Sequence, residues 1–223
     1  MNDVDVKAGI PFTPPAVAIA DPVDGLLKTA DLSAPIPVEV MVWPAAEPGY
    51  YFQLMLDGEA VGEIRIITEA DLSGDMITVY LSEQHLVNEG TYNLGYRTTS
   101  PNTEVSDLSP TIPLKIDRSR PGAALLAPMI FPSEPVAGQF TGLIPGYAGM
   151  EQGDLIQTFC NGIDGPTHTV QEDELTLRPI EIEFGAEAMQ RLAAEEVCIE
   201  YQVTDRAGNP SIMSLPVPLS IKL

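Results

Sequence analysis

The chain has 223 residues, of which 44% are hydrophobic and 19% charged, a composition that excludes a disordered chain and leaves room for two ordinary domains. Its 32 acidic and 11 basic residues give a formal net charge of −21. This charge excludes a surface built for nucleic acid, which needs clustered Lys and Arg, and it disfavours anionic membranes. The sequence also contains no apolar run of about 18 residues, so no membrane-spanning helix is expected.

Short apolar runs separated by Pro and Gly fill the first half of the chain, and their alternating pattern is typical of half-buried strands. In chain order these predicted strands cover residues 16–20, 36–43, 50–56, 61–67, 76–81, 91–97 and 109–116. An Asp57-Gly58 turn joins the third and fourth strands as a hairpin. Residues 82–88 predict a single helical turn.

The second half of the chain repeats the first at a nearly constant offset, which is the signature of a duplicated structural unit. The matches are Leu56-Asp57-Gly58 with Cys160-Asn161-Gly162 at an offset of 104 residues, and Tyr96 with Tyr201 and 113–116 with 218–221 at an offset of 105.

The repeat predicts two domains, 1–118 with a short N-terminal leader at 1–14, and 119–223. Each domain has about a hundred residues and about seven strands, the dimensions of an immunoglobulin-like sandwich. The predicted fold class is therefore all-β, with two tandem immunoglobulin-like β-sandwiches joined by a short linker at 117–121.

The clearest predicted hairpin lies near the end of the chain. Residues 197–204 alternate as a half-buried strand and run into the turn Asp205-Arg-Ala-Gly-Asn-Pro210. A returning strand is expected because apolar residues alternate again after the turn, at Met213, Leu215, Val217, Leu219 and Ile221. Residues 185–196 contain helix formers throughout and predict one or two helical turns.

Three stretches of the sequence resemble bacterial immunoglobulin-like (Big-type) tandem repeats of large surface and adhesin-type proteins. They are Tyr-x-Val-Thr-Asp-x-Ala-Gly-Asn-x-Ser at 201–211, Ile-Asp-Arg at 116–118 followed by Pro121, and residues 144–154. The resemblance covers the second unit well, whereas the first unit lacks the Asp-x-Ala-Gly-Asn turn. It implies a spacer or interaction module without catalysis, placed outside the cell or on its surface. The first seven residues lack the pattern of a secretory signal, so export without an N-terminal signal peptide is expected, and a cytoplasmic location stays open.

The sequence gives little support to catalysis, so we expect no enzyme and no cofactor. Only two histidines are present, His85 in a predicted helical turn and His168 in a predicted loop, and no catalytic motif accompanies them. The acidic clusters at 172–174 and 195–196 are interpreted as solvated surfaces rather than a catalytic pair, since 32 carboxylates make close neighbours inevitable.

The two cysteines are predicted to face opposite sides of a sheet. Cys160 shares a face with the inward residues of its strand, whereas Cys198 shares a face with Glu200 and Gln202. A disulfide needs Cβ atoms about 4 Å apart, so we expect none.

Most aromatic residues have structural interpretations. Tyr96 and Tyr201 should face the core, and Tyr92 lies where a tyrosine corner would tie a crossover to the sheet. Trp43, with Tyr50 and Tyr51 close behind it, is interpreted as core or rim packing, with an exposed sugar-binding platform as the alternative.

Two functions remain open from the sequence. One is a structural or adhesive spacer of a bacterial surface or secreted protein, and the other is a stand-alone binding protein, lectin-like or host-directed. A protein or carbohydrate surface, or neighbouring repeats, would be the partner. We predict no metal site, although a loose calcium site involving Asp107, Asp117 or Asp205 is the alternative.

Overall fold

The computed structural model describes residues 12–132, 140–176, 178–185 and 196–220. Within these ranges the chain is all-β, with 13 strands, three short 3-10 turns and no α-helix. The predicted fold class is therefore confirmed. The chain divides into two compact units, Met1–Asp117 and Arg118–Leu223, called unit 1 and unit 2 below.

Unit 1 is a sandwich of two antiparallel sheets. Its strands are β1 (Ile36–Met41), β2 (Tyr51–Leu56), β3 (Glu59–Ile66), β4 (Met76–Leu81), β5 (Gly90–Thr99), β6 (Ser106–Leu108) and β7 (Ile112–Ile116). One sheet pairs β1 with β4, and the other runs β3-β2-β5-β6, with β7 also paired to β5. Alternate residues of each strand, such as Phe52 and Leu54 on β2, are buried between the sheets.

Unit 2 has the same arrangement. Its described strands are β8 (Phe140–Ile144), β9 (Leu155–Cys160), β10 (Ile163–Thr169), β11 (Ile180–Phe184), β12 (Glu196–Thr204) and β13 (Val217–Ser220). One sheet pairs β8 with β11, and the other runs β10-β9-β12-β13. Its core contains Phe184, Ile199 and Tyr201.

One buried tyrosine anchors each unit at the position that the repeat predicted. Tyr96 is 1% exposed and Tyr201 is fully buried, which confirms their predicted inward orientation. The Tyr96 hydroxyl donates to the carbonyl of Thr13 at 2.9 Å, and the Tyr201 hydroxyl donates to that of Ala127 at 2.8 Å. Each tyrosine therefore ties the first segment of its unit to the middle of the larger sheet.

The returning strand of the final hairpin differs from the prediction. Met213 and Leu215 are exposed instead of facing the core, and the regular strand begins only at Val217. Ser211 and Ser214 are buried instead, and the Ser214 hydroxyl accepts the Tyr201 N–H at 2.9 Å. The apolar alternation was misleading because serine hydroxyls replace main-chain carbonyls as acceptors along this edge.

The first predicted strand, 16–20, is wrong. Only Ala16 pairs, in a bridge with Glu39, and the Ala20 N–H then donates to the Val17 carbonyl in a turn. The predicted helical turn at 82–88 is confirmed as the 3-10 turn Glu83–Leu86. The predicted helical turns at 185–196 fall almost entirely outside the described residues.

The tyrosine corner is confirmed. Tyr92 lies near the start of β5, and its hydroxyl donates to the carbonyl of Asn88 at 2.9 Å. The bond ties the crossover from β4 to the sheet it enters.

Candidate functional site

The two histidines lie in different units and in different environments. His85 is exposed in the 3-10 turn of unit 1, as predicted. His168 lies in strand β10, so its predicted place in a loop is wrong. Its Nε2 lies 2.8 Å from Glu174 Oε2, which ties the imidazole to the adjoining loop. The acidic cluster 172–174 forms a 3-10 turn around this contact.

This contact has a counterpart in unit 1, where Arg65 donates to Asp71 at 2.7 Å. The offset is 103 residues for both partners, and each carboxylate also accepts a main-chain N–H at the start of its loop. The pKa of Asp71 is lowered, first by its hydrogen bonds from Thr68. Burial by itself raises the pKa of Glu174, but hydrogen bonds from His168 and from the main chain of the loop outweigh it, so the pKa is lowered. Both contacts, Arg65–Asp71 and His168–Glu174, therefore have a structural role, because each holds the loop that follows an edge strand.

Trp43 belongs to the core of unit 1, as the preferred interpretation of the sequence stated. It is 4% exposed, and its ring packs edge-on against Phe12, Tyr50 and Phe52 at centroid distances of 5.9 to 6.4 Å. The alternative, an exposed sugar-binding platform, is wrong because Trp43 is buried.

Unit 2 has a polar pair where unit 1 has these aromatic rings. Tyr147 and Asp154 stand 104 residues after Trp43 and Tyr50, and the Tyr147 hydroxyl donates to Asp154 Oδ2 at 2.8 Å. Asp154 is fully buried, and its Oδ1 has no hydrogen-bond partner among the residues that the structure describes. Burial is the main cause that raises the pKa of Asp154, and the negative charge of Asp205 adds to it.

Both cysteines are free thiols and take the predicted orientations. Cys160 is 2% exposed in the core of unit 2, and burial raises the pKa of its thiol to about 11. Cys198 is half-buried on the opposite face, and its N–H donates to Asn161 Oδ1 at 2.7 Å.

The carboxylate of Asp205 is occupied within its own turn. Its two oxygens accept the main-chain N–H and the side-chain amide of Asn209, at 2.8 and 2.9 Å. The Asp-x-Ala-Gly-Asn motif is thus a turn closed by hydrogen bonds between its own first and last residues. In the part of the chain that the structure describes, no three His, Cys, Asp or Glu side chains are grouped to hold a metal ion.

A groove of unit 1 lies beside a bulge in β3. Residues 62–64 of β3 stand opposite the single residue Gln53 of β2, so the regular pairing is interrupted there. The Gln53 side-chain amide donates to the Gly62 carbonyl at 2.9 Å and holds the bulge. Unit 2 has a smaller bulge at the corresponding place, where residues 165 and 166 stand opposite Thr158 and the Gln157 side-chain amide donates to the Gly165 carbonyl at 3.0 Å.

The bulge forms one wall of a groove of about 420 Å³, called the edge groove below. Its lining residues come from the outermost strands of the two sheets and the strands behind them: Pro35, Leu54, Gly62, Glu63, Ile64, Arg65, Thr78, Val79, Tyr80 and Ser82. Ile64 is 55% and Tyr80 63% exposed. Ile64 and Tyr80 are thus the strongly exposed large apolar side chains of this groove, which also contains Glu63 and Arg65.

Sequence reasoning missed the edge groove, although a signal was present. Strand β4 reads Met-Ile-Thr-Val-Tyr-Leu and has no Asp, Glu, Lys or Arg, which is unusual for an edge strand in so acidic a chain. Its counterpart β11 reads Ile-Glu-Ile-Glu-Phe, with Glu181 and Glu183 exposed at the places of Thr78 and Tyr80.

The fold and these surfaces define an all-β tandem sandwich with an exposed apolar edge. No protein-family model matches the sequence, and no curated protein matches it. Similar solved structures include the fibronectin(III)-like modules of Clostridium thermocellum CbhA, with 11% identity over 93% of this chain and 94% of that chain and a TM-score of 0.46. Another is a structure described as giving insight into host cell surface retention of a 1.5-MDa bacterial ice-binding adhesin, with 12% identity over 89% of this chain and 60% of that chain, also at a TM-score of 0.46.

No helix in the described ranges combines the length and apolarity needed to cross a bilayer.

Proposed function

We propose that the chain is a non-catalytic structural and adhesive module of a bacterial surface or secreted protein. The observation that supports it best is the repetition of one hydrogen-bonded framework in both units. The main-chain N–H of Tyr96 donates to the Ser109 hydroxyl, and that of Tyr201 to the Ser214 hydroxyl, both at 2.9 Å.

The same framework carries different surfaces in the two units. The edge strand is uncharged at Thr78 and Tyr80 in unit 1 but acidic at Glu181 and Glu183 in unit 2. Constant internal bonds with variable exposed residues are expected of modules that share a spacing role and differ in what they contact. The two domains, 1–118 and 119–223, are proposed to be such modules.

A stand-alone binding protein is the second candidate, and the edge groove favours it. A groove lined by Leu54, Ile64 and Tyr80 offers an apolar contact surface without any neighbouring domain. The two candidate functions predict different molecular masses and different cellular locations for the native protein.

Immunoblotting of intact producing cells tests the choice, using antibodies raised against this chain. We expect a reactive band much larger than the 24.0 kDa of this chain, which disappears when protease is added outside intact cells. A cytoplasmic protein of known protease sensitivity serves as the control for cell integrity. A protease-resistant band of 24 kDa that is released only by lysis would contradict the proposal.

A further inference from the structure

The loop at 145–154, which joins β8 to β9, folds back over its own last residue and is called the Asp154 loop below. The Tyr147 hydroxyl donates to Asp154 Oδ2 at 2.8 Å. The Glu151 N–H donates to the same oxygen at 3.1 Å. These two bonds close the loop over one oxygen of the carboxyl group and leave Oδ1 to be accounted for.

The Oδ1 atom of Asp154 is enclosed without a donor. The residue is fully buried, and Oδ1 has no hydrogen-bond partner among the described residues. Main-chain bonds at 2.9 Å keep Asp154 in this place, since the Gly153 N–H donates to the Val170 carbonyl and the Val170 N–H donates to the Asp154 carbonyl. A buried oxygen without donors costs far more free energy when it is ionised than when it belongs to a neutral carboxyl group. The closed loop therefore fits a protonated Asp154 better than an ionised one.

Two acidic groups near Asp154 act in the same direction. Glu151 lies in the same loop, Asp205 lies in the turn after β12, and the negative charge of each opposes ionisation of Asp154. The Asp205 carboxylate is fixed in its position because its oxygens accept hydrogen bonds from Asn209. Burial is the larger cause and these like charges the smaller one, and together they raise the pKa of Asp154.

No donor to Oδ1 comes from the other polar side chains described around the loop. The aliphatic part of Arg206 lies against Gly153, and the Tyr201 hydroxyl donates to the Ala127 carbonyl. Burial is the main cause that raises the pKa of Tyr147, so its hydroxyl remains a donor throughout the acidic and neutral range. The charge on Asp154 can therefore change without loss of the donor that holds Oδ2.

Unit 1 has no carboxyl group at this place. Tyr50 stands at the position of Asp154 and Trp43 at that of Tyr147, and the two rings pack at a centroid distance of 6.4 Å. A contact between two aromatic rings does not change its charge between acidic and neutral pH. A pH response of this loop is therefore expected of unit 2 alone.

We propose that Asp154 makes the Asp154 loop a proton-dependent switch. The loop stays closed while Asp154 carries a proton, and it opens more readily once Asp154 is ionised, because opening lets water reach Oδ1. The Ala148 carbonyl of the loop accepts the Gly122 N–H at 2.8 Å, so opening also releases the first segment of unit 2. The bond from Tyr147 limits the opening of the ionised form. This inference goes beyond the proposed structural role and does not depend on it.

Carbon-13 NMR of the carboxyl groups in the full chain tests the charge state of Asp154 directly. Its carboxyl signal, assigned through its bonds to the main-chain amide, should report a pKa above the ordinary value of 3.8. Tyr147→Phe should raise this pKa further, since the lost hydrogen bond favours the ionised form. A pKa at or below 3.8, or a lower pKa in Tyr147→Phe than in the unchanged chain, would overturn the proposal.

Hydrogen exchange of the Gly122 amide tests whether the loop opens. Its protection, corrected for the intrinsic exchange rate at each pH, should fall about tenfold for each pH unit between the ordinary and the raised pKa of Asp154, and then level off. The amide of Tyr201, which donates to the buried Ser214 hydroxyl in the core of unit 2, should exchange more slowly than that of Gly122. Exchange of Gly122 no faster than that of Tyr201 would mean that opening requires unfolding of the whole unit, and it would overturn the proposal.

Two substitutions of acidic residues in unit 2 assign the pH response. Asp154→Asn keeps the shape of the side chain but does not titrate, so the protection of Gly122 should lose its pH dependence. Asp164→Asn, at an exposed residue of β10, is the matched control and should keep it. Other carboxyl groups, such as Glu174 with its lowered pKa, titrate alike in both variants. A pH dependence that persists in Asp154→Asn would overturn the proposal, and if this variant does not fold, the titration of Asp154 in the unchanged chain and in Tyr147→Phe decides.

Discussion

Replacing Gly25 with alanine is expected to destabilise unit 1 by about 3 kcal/mol. Gly25 has φ +74°, and an added Cβ would collide with the main-chain carbonyl of Pro113. The Gly25 carbonyl accepts the Lys115 N–H at 2.9 Å, and the N–H of the fully buried Leu27 donates back to Lys115. The clash therefore separates the first segment of unit 1 from β7.

Gly58→Ala is the matched control for this prediction. Gly58 has φ +85°, but nothing lies within 4 Å of its added Cβ, so only the backbone strain of about 1 kcal/mol applies. Trp43 is the only tryptophan of the chain and is buried in unit 1, so its fluorescence during urea unfolding reports this unit. Equal losses in the two variants would show that contact with Pro113 is unimportant.

Replacing Tyr147 with phenylalanine is expected to destabilise unit 2 by about 2 kcal/mol at pH values where Asp154 is ionised. The change removes the hydroxyl that donates to Asp154, whose remaining donor within the described residues is the Glu151 N–H at 3.1 Å. A bond to a charged acceptor is worth more than a neutral one. Tyr201→Phe, which loses a bond to the neutral Ala127 carbonyl, should cost about 1 kcal/mol.

The two tyrosine variants should also differ in pH dependence. The pKa of Asp154 is raised above its usual 3.8 in the folded state, mainly by burial. Its contribution to stability is therefore fully present below 3.8 and is lost as the pH rises through the raised value. The cost of Tyr147→Phe should shrink as the pH falls through this range, whereas that of Tyr201→Phe should stay constant.

Reaction of Cys160 with a dipyridyl disulfide, a reagent that also reacts with thiols in acid, can report the unfolding of unit 2 in a Cys198→Ser background. Cys160 is buried in the core of that unit, so it reacts only when the unit opens. A pH-independent cost of Tyr147→Phe would contradict the assignment of a buried charge to Asp154.

The all-β class, the register of the repeat and the inward tyrosines were predictable because alternation and Asp-Gly or Asn-Gly turns are local signals. The prediction of a strand at 16–20 was wrong because the alternating pattern does not show that the chain turns there, with the Ala20 N–H donating to the Val17 carbonyl. The exposure of Met213 and Leu215 was also not predictable, because the pattern gives no sign that Ser214 takes over a ladder hydrogen bond.

The candidate site depended on features that lie far apart in the sequence. The edge groove forms because the bulge at Gly62 and strand β4 lie side by side. Local periodicity does not show which strands of the two sheets become neighbours. The Tyr147–Asp154 pair was within the stretch at 144–154 that carried the family resemblance, but its burial appears only in the packed unit.

Separate expression of residues 1–118 and 119–223 tests the central claim that the chain consists of two copies of one self-sufficient sandwich. Urea unfolding is followed by Trp43 fluorescence in the first half and, in the Cys198→Ser background, by Cys160 labelling in the second. The account predicts one cooperative transition in each half, with a midpoint close to that of the same reporter in the full chain. The absence of a cooperative transition in both halves would contradict it.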